Sequence, residues 1–138
     1  MLDLGEKTVY QIYPKSFCDA DGDGFGDLRG IIEKLDYLQG LGVDYLWLTP
    51  VFPSPQNDNG YDVADYCAID PRFGTMEDME ELIAQSGRRG MGIMLDMVFN
   101  HTSTSHIWFQ KALAGEEEYQ NYYMFREGTP DHCPTNWQ

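Results

Sequence analysis

Three side chains able to accept, donate or hold a proton fall close together in GIMLDMVFNHT, residues 92–102: Asp96, Asn100 and His101. They follow the apolar run Ile93-Met94-Leu95, which reads as a strand buried on both faces, the kind found in parallel sheets. A carboxylate, an amide and an imidazole are costly to bury, and in α/β folds the C-terminal end of a strand is where ligands bind. Taken singly, Asp96 reads as a turn cap and His101 as a satisfied loop histidine. The neighbouring motifs move both towards a site.

The loop DADGDGFGD places Asp19, Asp21 and Asp23 at alternate positions, with Gly24 turning the chain and Asp27 beyond it. Hard oxygen ligands at this density suit Ca²⁺ or Mg²⁺; calcium takes several carboxylates, a backbone carbonyl and water at about 2.3–2.6 Å. The candidate ligands are Asp19, Asp21, Asp23 and Asp27, with the carbonyl of Phe25. The first seven positions imitate an EF-hand, but the twelfth is Gly30 instead of a bidentate glutamate, and a strand precedes the loop. An EF-hand is excluded; a metal site or a bare acidic turn is left. A nucleotide is disfavoured there, because its phosphates would meet carboxylates.

A third cluster, Asn57 to Asp62 (NDNGYD), follows the second strand and belongs on the same rim. Gly60 permits a sharp turn that presents Tyr61 as a flat face. Asp58 and His101 supply groups that hydrogen-bond hydroxyls, and Tyr61 the aromatic platform, a combination suited to carbohydrate. The competing reading is an ordered turn with Asx bonds and a core tyrosine. The residue types do not separate a sugar from another polyol.

These clusters need elements to carry them. Val9 to Tyr13 reads as a first strand ended by Pro14, and Lys15 to Gly26 as loop. Leu28, Ile31, Ile32, Leu35, Leu38 and Leu41 keep helical spacing, giving a helix from about Leu28 to Gln39 that Gly40 and Gly42 close. Asp44 to Leu48 is a second strand, and Val51 to Gly74 a long polar loop. Thr75 reads as the N-cap of a helix Met76 to Ser86, with Asp78 where a capping box puts its acid. Met91 to Val98 is the third strand, His106 to Ala114 a short helix, and Glu116 to Gln138 lacks a clear period.

The order β-α-β-α-β predicts an α/β fold with parallel strands. It matches the N-terminal part of a (β/α)₈ TIM barrel, the first three βα units, and a whole barrel takes roughly 250 residues. The 138-residue chain therefore reads as a fragment, with an open edge and poor stability alone. A free-standing flavodoxin-type domain is the competing architecture; it needs phosphate-binding loops, against which the acidic loop argues.

Nine basic residues face 23 acidic ones, a formal net charge of −14. Such a surface repels phosphate backbones and anionic lipid, so neither nucleic acid nor membrane is an expected partner. With 42% hydrophobic residues the chain is not expected to be disordered. Cys18, Cys67 and Cys133 are odd in number and far apart, which suits a reducing compartment. The N-terminus lacks a basic segment followed by an apolar one, and no apolar run approaches a membrane span; a cytoplasmic location is the expectation.

QIYPKSF (11–17), DGDGFGDLRG (21–30), LDYL (35–38), WLTP (47–50), DNGYDVADY (58–66), FGTMED (73–78) and DMVFNHTS (96–103) together resemble the α-amylase superfamily. Within it the likeness is to the oligo-1,6-glucosidase branch of α-glucosidases, dextran glucosidases and trehalose-6-phosphate hydrolases. The resemblance implies a retaining glycosidase on a (β/α)₈ barrel. Residues 1–101 would then begin barrel domain A (strands 1–3, helices 1–2), and residues 102–138 would begin domain B, inserted after the third strand. It also implies that Asp58 hydrogen-bonds the non-reducing glucose in subsite −1, that Tyr61 stacks on that sugar, and that His101 bonds its 6-hydroxyl. Asp96 would orient an arginine beside the nucleophile. Asp19, Asp21, Asp23, Asp27 and the Phe25 carbonyl resemble the family's structural calcium (Ca2+) site. Asn100, at a position that binds a different calcium in true α-amylases, is read as structural here, as is Asp62.

The family's nucleophile, general acid and third aspartate lie on strands four, five and seven, so the resemblance places no catalytic residue in this chain. Retaining hydrolysis needs two carboxyl groups about 5–5.5 Å apart, and the chain alone is expected to be inactive. YPKSF, HTSTSH (101–106) and PTNWQ (134–138) lean towards the trehalose-6-phosphate hydrolases, making a disaccharide phosphate the expected substrate, with Lys15 a candidate cation beside it. An oligo-1,6-glucosidase or broader α-glucosidase acting on a small oligosaccharide is the alternative. An alternative of another class is a non-catalytic amylase-like binding scaffold, like the ectodomain of amino-acid transporter heavy chains. The intact Asp58, Tyr61, Asp96 and His101 count against it.

Overall fold

In a computed structural model of the chain, residues 4–129 are described; Cys133 and the PTNWQ ending lie outside them. Strands β1 (Val9–Ile12), β2 (Tyr45–Leu48) and β3 (Gly92–Leu95) form one parallel sheet in the order β1-β2-β3. The register aligns Ile12 with Leu48 and Leu48 with Leu95, so the three strands end level with one another. The segments leaving the three strands therefore emerge at one rim.

Side chains alternate across the pleat. Ile12, Leu46 and Leu48 are buried with Leu28, Ile31, Leu35, Leu38 and Leu82 in the main core. The latter residues come from α2 (Leu28–Glu33), α3 (Leu35–Gly40) and α4 (Met76–Arg88). Gln11, Trp47 and Met94 align on the opposite face, where Trp47 is 37% and Met94 37% exposed. A parallel sheet covered on one face only is what the first βα units of a (β/α)₈ barrel present. A smaller cluster, Phe52, Val63 and Val98 with Tyr61 and Tyr66 packed on it, lies under the rim.

α4 starts as expected: the Thr75 hydroxyl accepts from the Asp78 N–H while the Asp78 carboxylate accepts from the Thr75 N–H, a complete capping box. Three expectations need correction. The segment after β1 is not all loop, because Pro14–Phe17 forms a short helix, α1, with Pro14 at its first turn. There the missing N–H costs nothing and proline's fixed φ suits a helix. The helix expected from Leu28 to Gln39 is broken at Lys34, whose N–H reaches back only to Ile31. The apolar stripe runs on across the break, which is why spacing alone did not show it. β3 is also not buried on both faces; Leu95 is 39% exposed, since β3 is an edge strand with one neighbour in the described sheet. Beyond it lie α5 (Ile107–Leu113) and α6 (Glu117–Gln120).

Candidate functional site

Three segments build the rim, one from the end of each strand. After β3 the Asp96 N–H still donates to the Leu48 carbonyl (3.0 Å), extending the ladder just far enough to fix Asp96 at the strand end. From the segment after β2, Tyr61 lies half-buried against the small apolar cluster and its hydroxyl donates to Asp96 Oδ2 at 2.9 Å. Burial, then the bond to Asp96 and its charge, push the Tyr61 phenol up to about 12, with Tyr13 just past β1 adding to the effect. Tyr61 is thus a neutral donor across the physiological range.

His101 Nε2 lies 3.0 Å from the Tyr61 carbonyl, and its Nδ1 lies 3.0 Å from the Asn100 side-chain amide nitrogen. A carbonyl can only accept, so Nε2 carries the proton and Nδ1 accepts from Asn100. Both ring nitrogens are engaged within the chain; a substrate hydroxyl would have to displace one of these bonds. The Tyr61 carbonyl therefore sets the tautomer of His101, and Asn100 completes it by donating to Nδ1, a contact that gives its structural reading a physical basis. The Tyr66 hydroxyl reaches the carbonyls of Val98 and His101 and pins the segment carrying the histidine. The sequence reading assigned Tyr66 no role; its place in DNGYDVADY was the available signal.

Asp58 is exposed, and among the described residues its carboxylate has no hydrogen-bond partner, while its carbonyl accepts from the Tyr61 N–H at 2.9 Å. The structure thus joins Tyr61, Asp96 and His101 directly and ties Asp58 to Tyr61 through the backbone. Beside them an open cleft of about 370 Å³ is lined by Tyr66, Phe99, Asn100, His101, Trp108 and Tyr122, among others. Of the expected sugar-contacting residues it includes only His101, so the hydrogen-bonded geometry, rather than this cleft, defines the site.

In the loop after α1, carboxylate oxygens of Asp19, Asp21 and Asp27 lie within 4.8 Å of one another. Two ligands on opposite sides of a calcium ion are separated by about 4.6–5.2 Å, so these three fit one hard cation. Asp23 is not in the group; its Oδ1 accepts from the Phe25 N–H at 2.7 Å. Asp19 accepts from the N–H groups of Gly24 and Gly22, which hold its carboxyl below the ordinary range. Asp27 is buried as the N-cap of α2, accepting from Gly30 (2.6 Å) and Ala20 (3.0 Å). The loop packs tightly: a Cβ at Gly30 would lie 2.0 Å from the Cys18 carbonyl oxygen.

Among known protein families, the one described as "Alpha amylase, catalytic domain" matches residues 11–138. Trehalose-6-phosphate hydrolase of Escherichia coli (strain K12) is 59% identical over 131 residues, covering 95% of this chain and 24% of the relative. Oligo-1,6-glucosidase of Bacillus cereus is 53% identical over 133 residues, covering 96% and 24%. The crystal structure of Bacillus licheniformis trehalose-6-phosphate hydrolase superposes with a TM-score of 0.89 at 52% identity, covering 96% of this chain and 24% of that one. The chain spans about a quarter of the length of the relatives it matches.

Proposed function

The chain belongs to the α-amylase family, and from that premise we propose that it forms one wall of the glucosyl pocket of a retaining α-glucosidase. The observation that carries this is the set Tyr61 hydroxyl to Asp96 (2.9 Å) and Tyr61 carbonyl to His101 (3.0 Å) at the strand ends, with the exposed carboxylate of Asp58, unpartnered among the described residues, in the adjoining turn. In this reading Asp58 accepts hydrogen bonds from sugar hydroxyls, and the ring of Tyr61 gives the sugar an apolar face. Asp96 holds that ring in place and keeps a second oxygen for a neighbouring cation. The carboxyl pair that cleaves the bond is assigned to no residue of this chain, so residues 1–138 alone bind and orient but do not hydrolyse. Residues 102–138 are read as the start of the inserted domain.

The substrate we favour is trehalose 6-phosphate, supported by the 59% identity to a hydrolase named for it and by the fold match to a second one. The oligo-1,6-glucosidase relative at 53% keeps an α-1,6-linked glucoside as the alternative. The test is kcat/KM of the full-length protein on trehalose 6-phosphate and on isomaltose, with Tyr61→Ala beside the wild type. A preference for the phosphorylated sugar and a loss on the order of 10²-fold in the variant are expected. Unchanged kcat/KM in Tyr61→Ala removes the residue from the pocket.

We further propose that Asp19, Asp21 and Asp27, with Asp23 and the Phe25 carbonyl drawn in, hold a structural Ca²⁺. Its contribution when bound would be to neutralise a cluster of like charges and fix the loop between α1 and α2. Equal melting in chelator and in millimolar calcium would refute this.

A further inference from the structure

The turn that presents Asp58 is backbone-strained. Gln56 (φ 63°) and Asn59 (φ 51°) both occupy the left-handed region, with Gly60 at φ 97°. Non-glycine residues there persist only when their surroundings hold them. Much of the restraint gathers on one carboxylate. Asp62 Oδ1 accepts from the Ser54 hydroxyl (2.6 Å) and from the Asp58 N–H (3.2 Å), and its Oδ2 accepts from the Asn57 N–H (3.0 Å). Ser54 Oγ in turn accepts from the Gln56 N–H at 2.9 Å.

Ser54 is itself clamped from behind. The Arg72 guanidinium donates to the Ser54 carbonyl (2.7 Å) and forks onto buried Asp70, whose N–H donates to the Val51 carbonyl just past β2. A continuous set of bonds thus runs from the segment just past the central strand to Asp58. We infer that Asp62 is the positioning residue for Asp58, accepting directly from its N–H, held in place by Ser54 and the Arg72–Asp70 pair behind it, and touching no substrate itself; this rests on the glucosyl-pocket reading above.

Burial alone would raise the Asp62 carboxyl, but the Ser54 hydroxyl and the amides of Asp58 and Asn57 outweigh it and hold it below the ordinary range. The charged form is therefore the one that shapes the turn. An amide cannot replace it, since its NH₂ would face a donor.

The experiment is a double-mutant cycle in the full-length protein, with 4-nitrophenyl α-D-glucoside as the probe. Asp62→Asn is expected to lower kcat/KM on the order of 10²-fold, and to add little when Asp58 is already alanine. Amide exchange supplies a readout independent of turnover: the N–H groups of Asn57 and Asp58 should exchange at least roughly tenfold faster in the variant. If Asp62→Asn does not fold, Ser54→Ala keeps the charge, removes the hydroxyl's bonds to Asp62 and from the Gln56 N–H, and should show the same pattern at smaller size. Full additivity with Asp58→Ala, or unchanged exchange at Asn57 and Asp58, overturns the inference. An unimpaired Asp58→Ala overturns instead the pocket reading beneath it.

Discussion

The segments after β1 and β2 are both rich in carboxylates, yet they satisfy them differently. Between Asp19 and Asp27 each carboxylate is met by a backbone amide two to seven residues away, and no lysine or arginine pairs with it among the described residues. Between Ser54 and Arg72 the carboxylates of Asp62 and Asp70 meet a hydroxyl, amides and a guanidinium, and Tyr61 bonds to Asp96, 35 residues away. The first loop leaves its charge without a lysine or arginine partner among the described residues. The second neutralises one carboxylate, Asp70, with its own arginine, ties itself to the sheet, and leaves Asp58 open. Similar composition thus serves opposite ends.

The contrast can be broken at several points in melts of the full-length protein. The largest effect is expected from Gly30→Ala, because the new Cβ would collide with the Cys18 backbone, which cannot swing aside; a loss of about 3 kcal/mol is expected. A loss under about 1 kcal/mol would show the acidic loop to be looser than its packing indicates. Calcium comes next: at 100 times its Kd it should add about 2.7 kcal/mol, and Asp27→Ala should abolish that gain.

Arg72→Ala should cost about 2 kcal/mol by leaving buried Asp70 without its fork, a value kept low because the arginine is half-exposed. Its cost should be the same in calcium and in chelator. A calcium-dependent cost would mean the two segments are coupled.

The smallest expected effect separates the regions by pH. His106, buried at the start of α5 with its ring tilted against Tyr66, caps the helix through Nδ1, which accepts from the Trp108 N–H. Burial lowers its pKa below 6.5, with Asp65 opposing. Its contribution is therefore complete above pH 6.5 and is lost as the pH falls through that value towards the lower folded one. A loss near 1 kcal/mol, the worth of a cap, is expected between pH 7 and 5, and it should vanish in His106→Asn. The Asp19 carboxyl is also lowered, from 3.8, so its stabilisation fades only in stronger acid. Equal acid sensitivity in His106→Asn would detach the histidine from this behaviour.

Much of this was legible in the chain itself. The 3–4 spacing of Leu28, Ile31, Leu35 and Leu38 marked the face that α2 and α3 bury, and Thr75 with Asp78 marked the start of α4, because these signals act over one or two helical turns. The residues that meet at the rim were legible too, since strand ends in a parallel sheet share one edge. What could not be read was the partnering. Tyr61 was expected as a platform and is seen as a donor to Asp96; His101 was expected to face a hydroxyl and has both ring nitrogens engaged. Asp62 looked like scaffold, without any sign of what it supports.

By itself, then, the sequence determined the local elements, the excess of negative charge and the family motifs in their order. Tertiary structure decided which carboxylate faces an amide, which an arginine and which is left open. The reason is physical: periodicity and capping depend on neighbours along the chain, whereas a hydrogen bond at 2.9 Å depends on where the sheet register sets groups dozens of residues apart.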